Sequence, residues 1–222
     1  MKNKWLERIG LICLLVTLLT LAITLTINAR WLYQFDIGQL DLLDYTSLSE
    51  KELLHNFDQL MRYLNLPWIK TLKMTDFPVS SSGALHFYEV KKLFLLNYGL
   101  LLVTVVPSIL YIRQLMKQQC LWKLIQPFRI AVVVPIVIAF LMAVNFDRFF
   151  VMFHGVFFNN DAWIFNPATD PIINVLPETF FLHCFILFFI LLEIFYLLPI
   201  YFGKRALKKG SSSNRVGEDK FE

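Results

Sequence analysis

Four long apolar stretches constrain this chain of 222 residues more than any other feature of its sequence. A helix needs about 20 largely apolar residues to cross the hydrocarbon core of a bilayer, and only helices or closed barrels satisfy their backbone hydrogen bonds there. The four stretches cover about residues 9–27, 93–112, 124–145 and 180–202. The first is too long for the apolar region of a signal peptide and has no small-x-small cleavage site. We therefore predict an all-α membrane protein with four transmembrane helices.

The composition excludes several other classes. Hydrophobic residues make up 57% of the chain, charged residues make up 17%, and the mean hydropathy is +0.56, values outside the range of soluble globular proteins. The net charge of +4 is too mild for a nucleic-acid-binding surface. The three cysteines are scattered and form no C-x-x-C pair, and the sequence contains no glycine-rich phosphate loop. We expect no disulfide framework, no cofactor, no metal and no nucleic-acid partner.

Lysine and arginine residues predict the orientation in the membrane. Three lie before the first span, four lie in the connection between the second and third spans when Arg129 near the start of the third is included, and six lie after the fourth, whereas eight are spread over the longer segments 28–92 and 146–179. Cytoplasmic segments carry the excess of basic residues. Both termini, including a tail over 203–222, are therefore predicted to be cytoplasmic. The segments 28–92 and 146–179 hold 12 of the 17 acidic residues and are predicted to form a small extracytoplasmic cap.

The first of these outer segments contains one clear helix signal. Ser49 and Glu52 have the spacing of a capping box, and Pro67 ends the pattern. Between them, apolar residues recur at helical spacing: Leu53, Phe57, Leu60, Met61 and Leu64. A segment of this size with one amphipathic helix cannot form its own core. We expect it to lie on the membrane surface or on the second outer segment, in which aromatic residues alternate with amides and carboxylates.

Four histidines are available for proton transfer near neutral pH. His55 fits an exposed helix position, and His183 in the first turn of the last span fits an interfacial anchor or an interhelical hydrogen bond. His86 precedes the second span and His154 follows the third, so both are expected at the same outer membrane depth, where they can meet. They form either a paired functional site or two separate interfacial anchors.

The residues around His86 and His154 resemble a known family. The similarity is carried by three motifs, His86-x-x-Glu89-Val90-Lys91, Phe153-His154-x-x-Phe157-x-Asn159-Asn160-Asp161-x-Trp163-x-x-Asn166-Pro167-x-x-Asp170 and Leu176-Pro177-Glu178-x-Phe180-Phe181. They resemble the bacterial lipoprotein intramolecular transacylase family, and the order and length of the spans agree with it over nearly the whole chain. Glu89 stands where the family often has aspartate.

The resemblance implies a four-helix membrane enzyme whose substrate is a diacylglyceryl-modified lipoprotein, with membrane lipids as its surroundings and no cofactor. The enzyme moves the sn-2 acyl chain onto the α-amino group of the substrate's N-terminal cysteine, which leaves a lyso-form lipoprotein. The two catalytic histidines of the family correspond to His86 and His154. Residues that could hold the substrate or orient the histidines follow from the same stretches: Tyr88, Phe153, Phe157, Phe158, Asn159, Asn160, Asp161 and Trp163.

Three alternatives remain from the residues. One is an acyltransferase with a serine nucleophile from Ser80, Ser81 or Ser82 beside His86, although no G-x-S-x-G elbow is present. Another is a histidine and carboxylate metal site, for which the His86-x-x-Glu89 spacing is loose. The third is a membrane transporter or a non-enzymatic scaffold, in which Glu193 within the fourth span is the key group.

Overall fold

The structure is a computed structural model that describes residues 4–218, with side chains over residues 4–208. Its α-helices are α1 (Lys4–Ile27), α2 (Arg30–Gln39), α3 (Glu50–Asn65), α4 (Ser81–Lys117), α5 (Ile125–Val144), α6 (Phe146–Phe157) and α7 (Glu178–Glu218). Short 3₁₀ helices lie at Leu42–Tyr45, Leu121–Leu124 and Pro171–Val175, and no strand occurs within these described residues. The predicted all-α fold is confirmed.

Four helical stretches are long and apolar enough to cross a membrane, namely Lys4–Ile27, Ser81–Lys117, Leu121–Val144 and Glu178–Lys208. The prediction of four transmembrane helices is therefore confirmed. The second of these helices begins well before the predicted span start at residue 93, so the end of the first outer segment belongs to α4. In the same way, α7 continues into the predicted tail 203–222, whose residues 219–222 lie outside the described residues.

The chain divides into two compact units. The first unit comprises Met1–Ile23, Leu100–Phe140 and Phe188–Glu222, and the second comprises Thr24–Gly99 and Leu141–Leu187. The helices α1, α4, α5 and α7 contribute residues to both. All four histidines belong to the second unit.

The first unit has an apolar core with one polar cluster in it. The buried core residues are Leu14, Ala22, Tyr111, Leu115, Leu124, Phe128, Leu192, Tyr196 and Ile200. The hydroxyl of Thr17 lies 2.9 Å from that of Thr104 and 2.8 Å from that of Ser108. Such side-chain hydrogen bonds between membrane helices satisfy polar groups that lipid cannot satisfy. They link α1 to α4 within this unit.

The second unit has its own core, to which both outer segments contribute. Its largest buried residues include Tyr33 on α2, Phe57 on α3 and Phe180 on α7; the rings of Tyr33 and Phe57 stack with centroids 4.0 Å apart. The Tyr33 hydroxyl donates to the carbonyl oxygen of Val175 at 3.0 Å. The first outer segment thus packs on the second. The expectation of one helix in that segment was wrong, because α2 and the first turns of α4 are helical as well.

The predicted capping box is present at the start of α3. Ser49 accepts from the backbone N–H of Glu52, and the Glu52 carboxylate accepts from the backbone N–H of Ser49. The Ser49 hydroxyl also donates to the Glu52 carboxylate at 2.7 Å, and this bond, followed by the bond from the Ser49 backbone N–H, lowers the pKa of Glu52. Beyond the end of α3, the buried Lys91 of α4 donates to the carbonyl oxygens of Leu66 and Ile69. The chain that leaves α3 is therefore fixed on α4.

Candidate active site

His86 lies in the second turn of α4, and the start of this helix is held by hydrogen bonds. The Ser80 hydroxyl accepts from the backbone N–H of Gly83 at 3.0 Å, as an N-cap does. Asp170, which is 1% exposed, accepts from the backbone N–H of Ser80 at 2.7 Å and from the Thr169 hydroxyl at 2.7 Å. A carboxylate is favoured at a helix N-terminus. The second outer segment therefore anchors the helix that carries His86.

Asp170 is ionised in this position. Burial by itself favours the neutral acid, but the hydrogen bonds from Ser80 and Thr169 outweigh it and hold the pKa of Asp170 below its usual range. Its carboxylate also lies directly against Gly83, where even a methyl group would collide with it. Glycine at position 83 is thus required by a close approach.

His154 lies in the last turn of α6, a helix that the sequence analysis did not anticipate. Asn145 caps its start by accepting from the backbone N–H of Arg148 at 2.9 Å. Aromatic residues recur along α6 at helical spacing: Phe146, Phe149, Phe150, Phe153 and Phe157. Phe149 packs edge-on against Phe185 of α7 with ring centroids 5.1 Å apart. This packing turns the side of α6 that carries His154 inward, and His154 is buried.

The structure brings the two imidazoles together. The ring centroids of His86 and His154 are 5.7 Å apart with an interplanar angle of 36°, and both side chains are buried. No hydrogen bond joins the two rings in the described part of the chain. Two such rings can bind the two sides of a small polar group placed between them.

His154 has a defined tautomer. Its Nδ1 lies 2.7 Å from the carbonyl oxygen of Phe150, and a carbonyl can only accept, so Nδ1 carries the hydrogen. In the neutral ring Nε2 is then a free base. Burial lowers the pKa of His154 below the ordinary value of 6.5, although the hydrogen bond to Phe150 opposes this. The ring also stacks on Trp163 with centroids 4.4 Å apart and planes 24° apart.

His86 is enclosed by aromatic rings from the second outer segment. The Phe158 ring meets it edge-on with centroids 4.8 Å apart, and Phe165 does the same at 5.6 Å. Its Nδ1 is buried and has no hydrogen-bond partner. A buried polar atom without a partner is costly, and such atoms are found where a ligand or an ordered water completes the site. His86 therefore has hydrogen-bonding capacity to offer to a substrate.

Glu89, one turn beyond His86 on α4, is held from the second outer segment. The Asn160 side-chain amide donates to both carboxylate oxygens, at 3.1 and 3.2 Å. The Asn160 carbonyl oxygen accepts from the backbone N–H of Ala162 at 3.0 Å, which fixes the amide orientation. This contact joins the helix of His86 to the turn that precedes Trp163.

The other predicted substrate-binding residues are distributed unevenly around the pair. Phe153 contacts His154 edge-on at 5.8 Å and is itself covered by Phe157, which is 49% exposed. Tyr88 is exposed, and the Lys92 ammonium lies 4.9 Å from its ring centre. Asn159 and Asp161 are exposed, and the Asp161 carbonyl accepts from the backbone N–H of Ile164 in a turn. Phe158, Trp163 and Phe153 thus have ring contacts with the histidines, whereas Tyr88, Asn159 and Asp161 form no hydrogen bond or ring contact with them within residues 4–208.

Among the residues with ring contacts to the histidines, Phe87, Phe150 and Phe165 were not predicted from the sequence. Phe150 lies four residues before His154, so a helix predicted over 146–157 would have placed the two side chains on the same face. Phe165 has no comparable signal in the sequence. Asp170 appeared only as part of a motif, without a structural role.

The remaining candidates have other surroundings. His55 is exposed and lies 3.0 Å from the Gln59 amide, and His183 contacts the fully buried Asp36 through Nδ1 at 2.8 Å. Ser80 serves as the cap of α4 rather than facing His86 as a nucleophile. Among the described residues, no group of three His, Cys, Asp or Glu side chains is arranged to hold a metal ion.

Three solved structures of the membrane integral lipoprotein intramolecular transacylase Lit from Bacillus cereus resemble this one. The first has 26% sequence identity and a TM-score of 0.89, covering 94% of this chain and 97% of that chain. A variant with one histidine replaced by arginine has 26% identity and a TM-score of 0.81, covering 95% and 94% of the two chains. A variant with alanine there has 25% identity and a TM-score of 0.81, covering 94% and 95%.

No curated protein matches the sequence. In contrast, residues 8–181 match the family described as lipoprotein intramolecular transacylase Lit, and this range contains the whole of the site described above. The chain therefore belongs to the lipoprotein intramolecular transacylase family.

Proposed function

We propose that this membrane enzyme transfers the sn-2 acyl chain of a diacylglyceryl-modified lipoprotein to the α-amino group of its N-terminal cysteine, and that His86 and His154 carry the reaction. The enzyme is an acyltransferase of the transacylase family. The observation that carries the histidine assignment is the buried pair of imidazoles with ring centroids 5.7 Å apart. Family membership favours this activity over a transporter or scaffold built on Glu193.

The tautomer of His154 suits it to the role of general base. The amine attacks the ester carbonyl carbon, a C–N bond forms, and the nitrogen loses one proton to Nε2 of His154. The bond between the carbonyl carbon and the glyceryl oxygen then breaks, and this oxygen, which stays on the glyceryl carbon, takes the proton back from His154. His86 donates a ring N–H to the carbonyl oxygen as negative charge develops there. Atoms and charge balance without a second acyl donor, and ester to amide transfer is downhill.

The aromatic side chains supply orientation. Donor ester and acceptor amine belong to one molecule, so attack passes through an eight-membered ring that a flexible lipid rarely populates. Well-oriented intramolecular reactions gain up to about 7–11 kcal/mol from such positioning. Three aromatic rings have contacts with the histidines, those of Phe153, Phe158 and Trp163, and the exposed Phe157 packs against Phe153. We infer that they clamp the glyceryl part of the substrate.

The excess of basic residues before the first span, between the second and third, and after the fourth supports an orientation with both termini in the cytoplasm. The site then faces the outer leaflet, where mature lipoproteins carry their lipid. Labelling of single cysteines introduced at exposed positions of α3 and of the 113–123 connection, with a membrane-impermeant reagent on intact cells, tests this orientation. Labelling of the 113–123 connection instead of α3 would show that the orientation is the opposite one.

The decisive experiment uses purified enzyme and a synthetic diacylated lipopeptide without any acyl donor. We expect conversion to the lyso form, detected by mass spectrometry as an unchanged mass with the acyl chain moved to nitrogen. His86→Ala and His154→Ala are expected to lower the rate by about 10²–10⁴-fold, the usual contribution of a positioned acid or base. His55→Ala, which removes an exposed histidine of the same unit, serves as the matched control.

Full activity of either site variant would reject the paired mechanism while leaving the reaction in place. Conversion that requires an added lipid donor would reject the intramolecular reaction itself. The triple change of Ser80, Ser81 and Ser82 to alanine separates the nucleophile alternative: it is expected to weaken the cap of α4 without preventing turnover.

A further inference from the structure

Glu89 is a carboxylate beside the catalytic pair for which the reaction has so far provided no role. It follows His86 by three residues on α4, so the two side chains lie on the same face of the helix. Its side chain is half-buried, between the exposed surface and the enclosed histidine. It is thus the acidic group that a molecule entering toward His86 meets on that helix face.

The carboxylate of Glu89 is oriented but not neutralised. One amide group, that of Asn160, donates to both of its oxygens, whereas a carboxylate can accept about four hydrogen bonds. No lysine, arginine or histidine of the described chain forms an ion pair with it. Lys92, three residues further along α4, directs its ammonium over the Tyr88 ring instead.

The position of Asn160 explains why the carboxylate stays in place without a cation. Its amide is fixed by the backbone N–H of Ala162, and the same turn leads into Trp163, which stacks on His154. The oxygens of Glu89 are therefore held relative to both imidazoles before any substrate arrives. A partly buried charge held in this way favours a ligand that brings the opposite charge.

The substrate brings one such charge at its reacting end. The α-amino group of a peptide has a pKa of about 8, so it enters a site near neutral pH mainly as an ammonium ion. We propose that the Glu89 carboxylate, oriented by Asn160, binds the primary ammonium group of the substrate's N-terminal cysteine. This proposal rests on the proposed function and names the group that recognises the acceptor end of the substrate.

Two consequences follow from this assignment. The bound ammonium loses one proton to solvent before it attacks, and the resulting amine is already within the site. After transfer the nitrogen belongs to an uncharged amide, so the attraction to Glu89 disappears in the product. The same contact that admits the substrate thereby favours release of the product.

Binding of two unreactive ligands tests the proposal. Both are dialkylglyceryl lipopeptides with ether links, which cannot transfer a chain; one carries the free α-amino group and the other has hydrogen in its place. We expect wild-type enzyme in detergent to bind the amine ligand about tenfold or more tightly, the strength of a charge-assisted hydrogen bond. Glu89→Gln is expected to remove this preference and to leave binding of the desamino ligand unchanged.

Asp41→Asn is the matched control. It removes an exposed carboxylate of the same unit at a left-handed position, φ 48°, which asparagine tolerates. We expect it to keep the full preference for the amine ligand. Asn160→Ala is expected to reduce the preference without abolishing it, because the charge stays while its orientation is lost.

Equal affinity of the wild-type enzyme for the two ligands would overturn the proposal, and this result needs no variant to fold. A full preference retained by Glu89→Gln would overturn it as well. Neither ligand reacts, so a failure of the proposed acyl transfer would show separately, as absence of lyso product from the ester substrate. A preference in the wild type that Glu89→Gln removes supports the assignment.

Discussion

The Nδ1–H of His154 donates to the carbonyl oxygen of Phe150, four residues earlier in α6, at 2.7 Å. Phe150 lies one helical turn before His154, and the bond turns the ring so that Nε2 carries the lone pair. A backbone acceptor one turn earlier in the same helix thus decides which nitrogen of the imidazole can take a proton. The tautomer of His154 is thus set by secondary structure rather than by another side chain.

The pH dependence of turnover follows from the burial of His154. Burial lowers the pKa of His154 below 6.5. The neutral, active form of the ring therefore persists at pH 6.5, and activity is lost only when the pH falls through the lowered pKa. The substrate's α-amino group stays protonated throughout pH 5–6.5, so its titration does not change the slope of the pH–rate profile in that range. We expect the acidic limb of kcat/KM to have its midpoint below 6.5. A midpoint above 6.5 in a profile from pH 5 to 7.5 would exclude His154 as the base.

Gly83→Ala is expected to damage the start of α4. A methyl group there would lie 3.0 Å from the Phe165 ring and still closer to the Asp170 carboxylate. Overpacking of this kind costs about 1–3 kcal/mol, and it would also displace the residues that enclose His86. Both the apparent Tm and kcat/KM should fall.

Gly99→Ala provides the control in the same helix, because nothing lies within 4 Å of an added methyl group there. Alanine is favoured over glycine inside a helix by about 1 kcal/mol, so this variant should be unchanged or slightly more stable. Equal loss of stability in the two variants would show that the effect at Gly83 is general to the helix and not due to Asp170.

Trp163→Leu is expected to lower turnover through His154. The indole stacks on the imidazole at 4.4 Å and stabilises the ring when it becomes cationic during proton transfer. Loss of about 1–2 kcal/mol corresponds to a roughly tenfold lower kcat, whereas Trp163→Phe should retain part of the effect. Trp68→Leu, which changes a tryptophan that is 70% exposed, should leave kcat unchanged. Full activity of Trp163→Leu would show that the stack has no catalytic effect.

His183→Ala is expected to lower the free energy of unfolding rather than to change the acyl-transfer step directly. Its partner Asp36 is 0% exposed, and the second carboxylate oxygen of Asp36 is also buried without a hydrogen-bond partner. Leaving a buried carboxylate without its partner costs about 3–5 kcal/mol, with the lower value fitting a histidine that is partly exposed. Thermal unfolding in detergent would measure it.

The double variant Asp36→Asn with His183→Ala should recover part of that loss, because no unpaired charge then remains buried. His55→Ala should have no measurable effect on the same unfolding curve. Additive losses in the double variant would argue against an energetic link between the two residues.

The sequence predicts the membrane helices well, because each apolar stretch of about 20 residues reports directly on burial in lipid. It also predicts α3 to within a residue, since Ser49 and Glu52 define its start by hydrogen bonds between near neighbours. His86 and His154 could be placed together by topology alone. These features could be predicted because they depend on local sequence patterns and on the depth of each segment in the membrane.

Other features depend on contacts between distant residues. Asp170 and Gly83 are far apart in the sequence. Nothing in the residues around either position indicates that the Asp170 carboxylate fills the space where Gly83 has no side chain. The helix α6 could have been found from the spacing of its phenylalanines, but aromatic residues are enriched at membrane interfaces whatever the local secondary structure. Tyr88, Asn159 and Asp161 belong to the right stretches, yet one exposed helix position and two turn positions keep them from the imidazoles.

The Asp170 carboxylate connects the first residues of α4 to the segment that follows His154. Breaking this connection by thermal fluctuation would release both ends of the site in a single event rather than one after the other. Native-state amide exchange would then report one common opening free energy for the backbone near Ser80 and for the residues around Trp163. We therefore expect the Asp170 contact to determine how long the site stays assembled.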